Sequence, residues 1–221
     1  EVVGRKLYIT DFGHEIAEAA EKILSEAQAI DYKTLAFKGI LAGRLKVSVV
    51  STGKYVMPYF LSGFMEKHNG VDLVMDVTNK SRVVRSLEKN EVDFALVSVV
   101  PDHLKLKRVP LMPNKLFLIS GTQKEIPKDL TIKKIFIEYP MIYREEGSAT
   151  RNKMERYMKS HKYSSKKKIE LTSNEALKQA VTAGLGLSIM PLIGIKNSLK
   201  NKELEIIPVD DLPIVTHWNL V

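Results

Sequence analysis

Residues 43–78, GRLKVSVVSTGKYVMPYFLSGFMEKHNGVDLVMDVT, decide how this chain is to be read. The valine-rich run LKVSVV ends in three small residues, Ser51, Thr52 and Gly53, and YVMPYFLSGFMEKH then spaces its apolar residues at helical intervals. VDLVMDVT returns to a valine-rich run. Valine is stiff at its branched β-carbon and suits a pleated strand, so the unit reads strand, helix, strand. Gly39 and Gly43, just ahead of it, mark a hinge.

The alternation continues toward the C-terminus. SRVVRSLEKN predicts a second helix and DFALVSVV a buried strand, followed by strands at KLFLISG, PMIYRE, KIELTS and GLSIMP. TRNKMERYMKSHKY and SNEALKQAVTAG fall between them as helices, the second ending at Gly184. Strands alternating with helices predict an α/β fold on a parallel sheet.

Toward the N-terminus the pattern is different. Gly4 to Ile9 alternates weakly and reads as the returning strand of a small hairpin. Thr10 and Asp11 then supply an N-cap and an acid at the positive end of a long helix. Phe12, Ile16, Ala19, Ile23, Ala27 and Ile30 recur at spacings of three and four, a seam narrow enough to suit another helix. Phe12, Ile16, Ile23 and Ile30 are therefore the candidate dimerisation residues.

Composition bounds the function. With 44% hydrophobic and 27% charged residues, the chain can bury a core. Its lack of cysteine excludes disulfides and thiolate catalysis and makes the cytoplasm the default location. No apolar run approaches the roughly 18 residues that would span a bilayer. Of the net charge of +8, most sits between Arg151 and Lys168, where eight Lys or Arg face the single Glu155. That segment has no base-reading motif, so a solvated surface competes with a role toward DNA or anionic ligands.

Enzyme chemistry lacks candidates. STGKY is not a phosphate-binding Walker loop, because Ser48 stands where the first glycine belongs and Tyr55 where magnesium needs a hydroxyl residue. His14, His68, His103, His161 and His217 are scattered, so no metal site is expected, and no cofactor is implied. There is no Gly-x-Ser-x-Gly elbow, and Glu145 and Glu146 have no visible partner for acid and base work.

Small polar residues do cluster where strands give way to helices, the place where open α/β sheets bind ligands. Ser51, Thr52 and Gly53 follow one strand, Thr78, Asn79 and Ser81 the next, and Ser98 a third. Their hydroxyls and backbone amides can hold a carboxylate or phosphate. The competing reading is that such residues merely cap the helices after them.

The order of elements and several strings resemble the LysR-type transcriptional regulators. TDFG at Thr10 to Gly13 is similar to the Thr-x-x-Gly that opens that family's linker helix, and GRLKVSVVSTGKYVMPYFLSGFMEKH to its first regulatory strand, effector loop and helix. NKSRVVRSLEKNEVDFALV, with Asp93 opening a strand, looks like the second helix and central strand. REEGSATR, the Gly184, Gly186 and Pro191 of VTAGLGLSIMP, and HWNLV continue the likeness.

The resemblance implies a two-lobed fold of the type 2 periplasmic-binding-protein kind, preceded by a long linker helix. Residues 1–9 would be the remnant of a winged helix-turn-helix, and 10–43 the linker helix and hinge. Residues 44–119 and 206–221 would form lobe I and 120–205 lobe II, with crossings near Ser120 and Ile206. Effector contacts would also come from Gly147, Ser148 and Thr150, with Arg144 and Arg151 adding charge if they point inward.

The implied function is sensing: a small anionic metabolite binds between the lobes and controls DNA binding, which belongs to a domain ahead of this segment. A homodimer is implied, and a tetramer for the full-length regulator. A solute-binding protein of a transport system shares the fold but has no reason to carry the amphipathic helix. An enzyme on the same fold is the other alternative. A hydroxymethylbilane synthase needs a cysteine that is absent, and a dehydratase Thr-Arg-Phe motif would fall on Thr150, Arg151 and Asn152 and fail at the third position.

Overall fold

The computed structural model describes every residue except Glu1, Gly4, Arg5, Lys124 and Lys128, with the backbone alone for residues 2–3 and 6–7. Two short strands open the chain, β1 (Val2–Val3) and β2 (Lys6–Leu7), paired antiparallel with Val2 opposite Leu7. The strand expected over Gly4 to Ile9 is thus met at Lys6–Leu7, and its first two positions, Gly4 and Arg5, lie outside the described residues.

Helix α1 (Asp11–Phe37) starts where a cap residue permits it. Thr10 is extended at φ −76°, and its hydroxyl accepts from the Gly13 N–H at 3.0 Å, satisfying one of the donors a helix start leaves open. Gly39, at φ +75°, stands just beyond the end of the helix. No residue of α1 is buried.

By contact density the chain forms two compact units, residues 1–45 with 62–73 and residues 46–61 with 74–221. Within the first, the Tyr32 hydroxyl donates to Asp72 Oδ2 at 2.7 Å and ties α1 to the strand that contains Asp72.

After α1 come β3 (Ala42–Val50), a single 3-10 turn (Gly53–Tyr55), α2 (Met57–Lys67), β4 (Gly70–Thr78), α3 (Lys80–Glu88) and β5 (Phe94–Val97). A 13-residue strand follows, β6 (Val109–Gly121). The chain continues through α4 (Ile132–Glu138), β7 (Met141–Arg144), α5 (Ala149–Ser160), β8 (Lys168–Leu171) and α6 (Asn174–Thr182). It closes with β9 (Ser188–Pro191), α7 (Leu192–Lys200), β10 (Leu204–Ile206) and β11 (Ile214–Leu220).

The strands form a larger sheet in the order β10-β6-β11-β5-β3-β4, with β9 also on β6, and a separate pair β7-β8. Burial follows position: Val47 to Val50 of β3 are buried, whereas β4, at the end of the order, alternates between half-buried and exposed.

The parallel sheet expected from the alternation is corrected. β3 with β5 and β7 with β8 are parallel, but β9, β10 and β11 all run antiparallel to β6, so the sheet is mixed. Alternation of strand and helix says nothing about strands that return without an intervening helix, as β11 does. The segments near Ser120 and Ile206 are neighbours, with Glu205 opposite Ser120 and Ile206 opposite Ile119.

Beside β6, an apolar cluster includes Leu116, Leu118, Phe136, Met154, Tyr157 and Ile189. A second holds Ile119, Ile142, Leu177, Val181 and Ile195. These clusters fix β7, α5 and α6, and with them the residues at their ends.

Candidate functional site

Ser51 follows β3, and its hydroxyl donates to the Thr78 carbonyl at the end of β4, at 2.9 Å. Thr52 is buried and precedes the 3-10 turn without a capping bond from its side chain. Capping therefore does not account for either residue.

For two others it does. Asn79 Oδ1 accepts from the Arg82 N–H at 3.1 Å and caps α3. Ser148 Oγ accepts from the Arg151 N–H at 3.5 Å and caps α5. Ser81 is the second residue of α3 and exposed, not its cap.

Six of the ten residues expected from sequence line one small pocket: Ser51, Thr52, Asn79, Ser98, Ser148 and Thr150. Val50, Lys80, Ala149 and Arg144 complete its wall, around only about 10 Å³ of free space. That is room for about one water molecule and far below the range of about 300–1,000 Å³ typical for drug-sized ligands, so a ligand enters only if these walls move apart.

The other four stand beside it. Thr78 supplies the carbonyl under Ser51. Gly53 follows Thr52, and a β-carbon there would meet the Val49 side chain at 2.6 Å. Gly147 has φ +82°, a conformation side chains resist, and a β-carbon on it would lie 2.6 Å from Ser81 Oγ.

Two helix N-termini, those of the 9-residue α3 and the 12-residue α5, contribute to this one wall. Their open N–H groups and dipoles favour negative charge. Lys80 adds a cation at the rim, and Arg144 adds a buried one.

Arg144 ends β7 and is 3% exposed. Its Nη2 donates to Ser51 Oγ at 3.2 Å, and its Nη1 to Asn174 Oδ1. Nε and Nη2 also reach the two oxygens of Glu145, at 2.8 and 2.9 Å. Arg151, by contrast, is engaged by Glu155 and Glu170 at 2.8 and 2.6 Å and does not line the pocket. The hydrogen bond that Arg151 donates to Glu155 leads the causes that raise its pKa.

Asn174 was missed by sequence reasoning. It opens α6 behind the cap Ser173, is 3% exposed, and leaves its Nδ2 buried with no hydrogen-bond partner. Nothing local in the sequence pairs it with Arg144, 30 residues earlier.

Elsewhere, a wider hollow of about 700 Å³ is lined by Lys54, Tyr59, Phe60, Met112, Ile193 and Lys196 among others. It contains none of the hydroxyl, helix-end and arginine groups that converge at Ser51. Among the described residues no three His, Cys, Asp or Glu are grouped to hold a metal, and no helix is long and apolar enough to cross a membrane.

The mixed sheet and the polar pocket at its strand ends define a ligand-binding domain of the type 2 periplasmic-binding-protein kind. A model of the LysR substrate binding domain matches residues 38–221. The chain therefore belongs to the LysR family of transcriptional regulators, in its effector-binding region. It is 31% identical to the RuBisCO operon transcriptional regulator of Allochromatium vinosum, over all of this chain and 74% of that protein. It is 33% identical to the regulator CbbR of Rhodospirillum rubrum, over the same shares. Among solved structures, the regulatory domain of Synechocystis CcmR in complex with 2-PG superposes with a TM-score of 0.74, at 30% identity, over 80% of this chain and 86% of that one.

Proposed function

We propose that this chain senses a small phosphorylated or carboxylated metabolite in the pocket at Ser51, Thr52, Asn79, Ser98, Ser148 and Thr150, and passes that state to the DNA-reading domain of its regulator. The observation that carries this reading is the convergence of two helix N-termini, Lys80 and the buried Arg144 on one set of hydroxyls. The CcmR domain, a relative that binds 2-PG, supports 2-phosphoglycolate as the first ligand to try.

The pocket draws on both segments that the resemblance assigns to lobes I and II, since Ser51 and Ser98 belong to one and Arg144, Ser148 and Thr150 to the other. A ligand there shifts the balance of lobe arrangements only by binding one of them better. Dimerisation through α1 completes the sensor. Phe12, Ile16, Ile23 and Ile30 are between 54% and 70% exposed, an apolar stripe that a second copy would cover. The reading places the regulator in the cytoplasm, assembled as dimers and, in full length, as tetramers, with no catalysis of its own.

Calorimetric titration of the chain with 2-phosphoglycolate, inorganic phosphate and glycolate tests the site. Saturable binding of the phosphorylated ligand is expected, with the ligand recovered unchanged, and loss of that binding in the folded Ser51→Ala, Thr52→Ala variant. Full affinity in the double variant would move the site away from this loop.

A further inference from the structure

A guanidinium as buried as that of Arg144 requires a counter-charge, because water is not available to solvate it. Glu145 supplies one from the next position in the chain. Both of its carboxylate oxygens meet the guanidinium, Oε2 at Nε (2.8 Å) and Oε1 at Nη2 (2.9 Å), in the two-point pairing that arginine forms with planar anions. Of two adjacent acids only this one is drawn inward: the Glu145 side chain is 15% exposed and that of Glu146 is 90% exposed.

The pocket's own arginine is therefore neutralised before any ligand arrives. Its Nη2 also donates to Ser51 Oγ, on the pocket wall, so the group held by Glu145 is the group an anion beside Ser51 would approach. Next to it, the buried Asn174 Nδ2 has no acceptor, although Oδ1 of the same side chain is used by Arg144. A ligand oxygen would satisfy that donor.

We propose that Glu145 is an internal competitor for the ligand. Binding is an exchange at Arg144, in which ligand oxygens replace the Glu145 carboxylate on the guanidinium and one of them accepts from Asn174. This rests on the pocket being the anion site, and it adds a selectivity rule. A ligand must offer two coplanar acceptor oxygens and at least the charge of the carboxylate it displaces. Phosphate esters and dicarboxylates meet that rule; chloride does not, and a neutral hydroxy compound does not.

The test compares the wild-type chain with Glu145→Gln and Glu145→Asp, titrated with 2-phosphoglycolate, inorganic phosphate and chloride by calorimetry and by thermal melting. Glu145→Gln is expected to melt lower without anion, since its Arg144 has lost its counter-charge. It should bind inorganic phosphate about 10-fold or more tighter than wild type, because one nearby negative charge is gone. Added phosphate should close the melting gap, and Glu145→Asp, with its shorter reach, should lie between the two. If wild type binds 2-phosphoglycolate and both variants bind it no better, the exchange is overturned while the pocket stands. If neither wild type nor variants bind any anion, the pocket reading fails and the exchange with it. Should Glu145→Gln not fold even in phosphate, unchanged affinity in Glu145→Asp overturns the proposal.

Discussion

Gly147 approaches Ser81 so closely that a β-carbon on the glycine would lie 2.6 Å from the serine hydroxyl oxygen. The first residue precedes α5 and the second lies in the first turn of α3, so the contact sets how near the two helix N-termini come across the pocket. With φ at +82°, Gly147 also holds a backbone conformation that costs other residues about 1–3 kcal/mol.

Gly147→Ala should therefore lower stability by about 1–3 kcal/mol and, by pushing Ser81 away, weaken 2-phosphoglycolate binding as well. Urea unfolding and calorimetry on the same preparation read both effects. A variant of native stability and native affinity would show that the approach is without consequence.

Arg144→Lys keeps the charge and loses the planar fork. The structure expects a folded protein whose 2-phosphoglycolate affinity falls about 10-fold or more, since a lysine cannot serve two oxygens and Asn174 together. An affinity within twofold of wild type would mean that only the charge of Arg144 matters.

Replacing Ile16 and Ile23 of the α1 stripe by Asp should convert a self-associating chain to a monomer, because two charges would be buried in any helix pairing there. Sedimentation equilibrium measures it, and an unchanged assembly mass would take α1 out of the interface.

His161 couples the stability of the fold to pH through Asp211. Its Nε2 lies 2.9 Å from Asp211 Oδ2, and that hydrogen bond is the main cause that raises its pKa, with the Tyr157 carbonyl second. A raised folded value means the stabilisation is complete below the unfolded value of about 6.5 and is lost as pH climbs through the folded one. The melting difference between wild type and His161→Asn should shrink as pH rises above about 6.5. A difference that is flat with pH, or that grows, would show that protonated His161 does not support the fold. Nearby, burial pushes the Tyr157 hydroxyl up to about 12, so it does not titrate in this range.

The local features of the fold were legible. Thr10 as a cap, the glycines around residue 40, the long amphipathic helix and the positions of most strands follow from side-chain shape and period, which act over a few residues. That Ser51, Thr52, Asn79 and Ser98 stand at strand ends was legible too, because a strand-to-helix turn carrying small polar residues marks itself in the sequence; Ser148 and Thr150, which line the same pocket, came from the family resemblance. Strand β6 was not. Only KLFLISG was recognised, and the strand begins at Val109, since Pro110 and Pro113 cannot donate to a ladder and read as breaks. They are accommodated opposite Asn219 and His217, where the register with β11 shifts.

The sequence by itself determined the periodicities, the helix ends and the polar turns, because each depends on neighbours a few positions away. Only the tertiary structure decided that the sheet is mixed and which charges meet at the pocket. Arg144 reaches Ser51 across 93 residues and Asn174 across 30, and β11 returns to pair with β5 and β6 from the end of the chain. Such pairings are set by how buried surfaces and buried charges are satisfied together in the folded chain, and no local pattern encodes that.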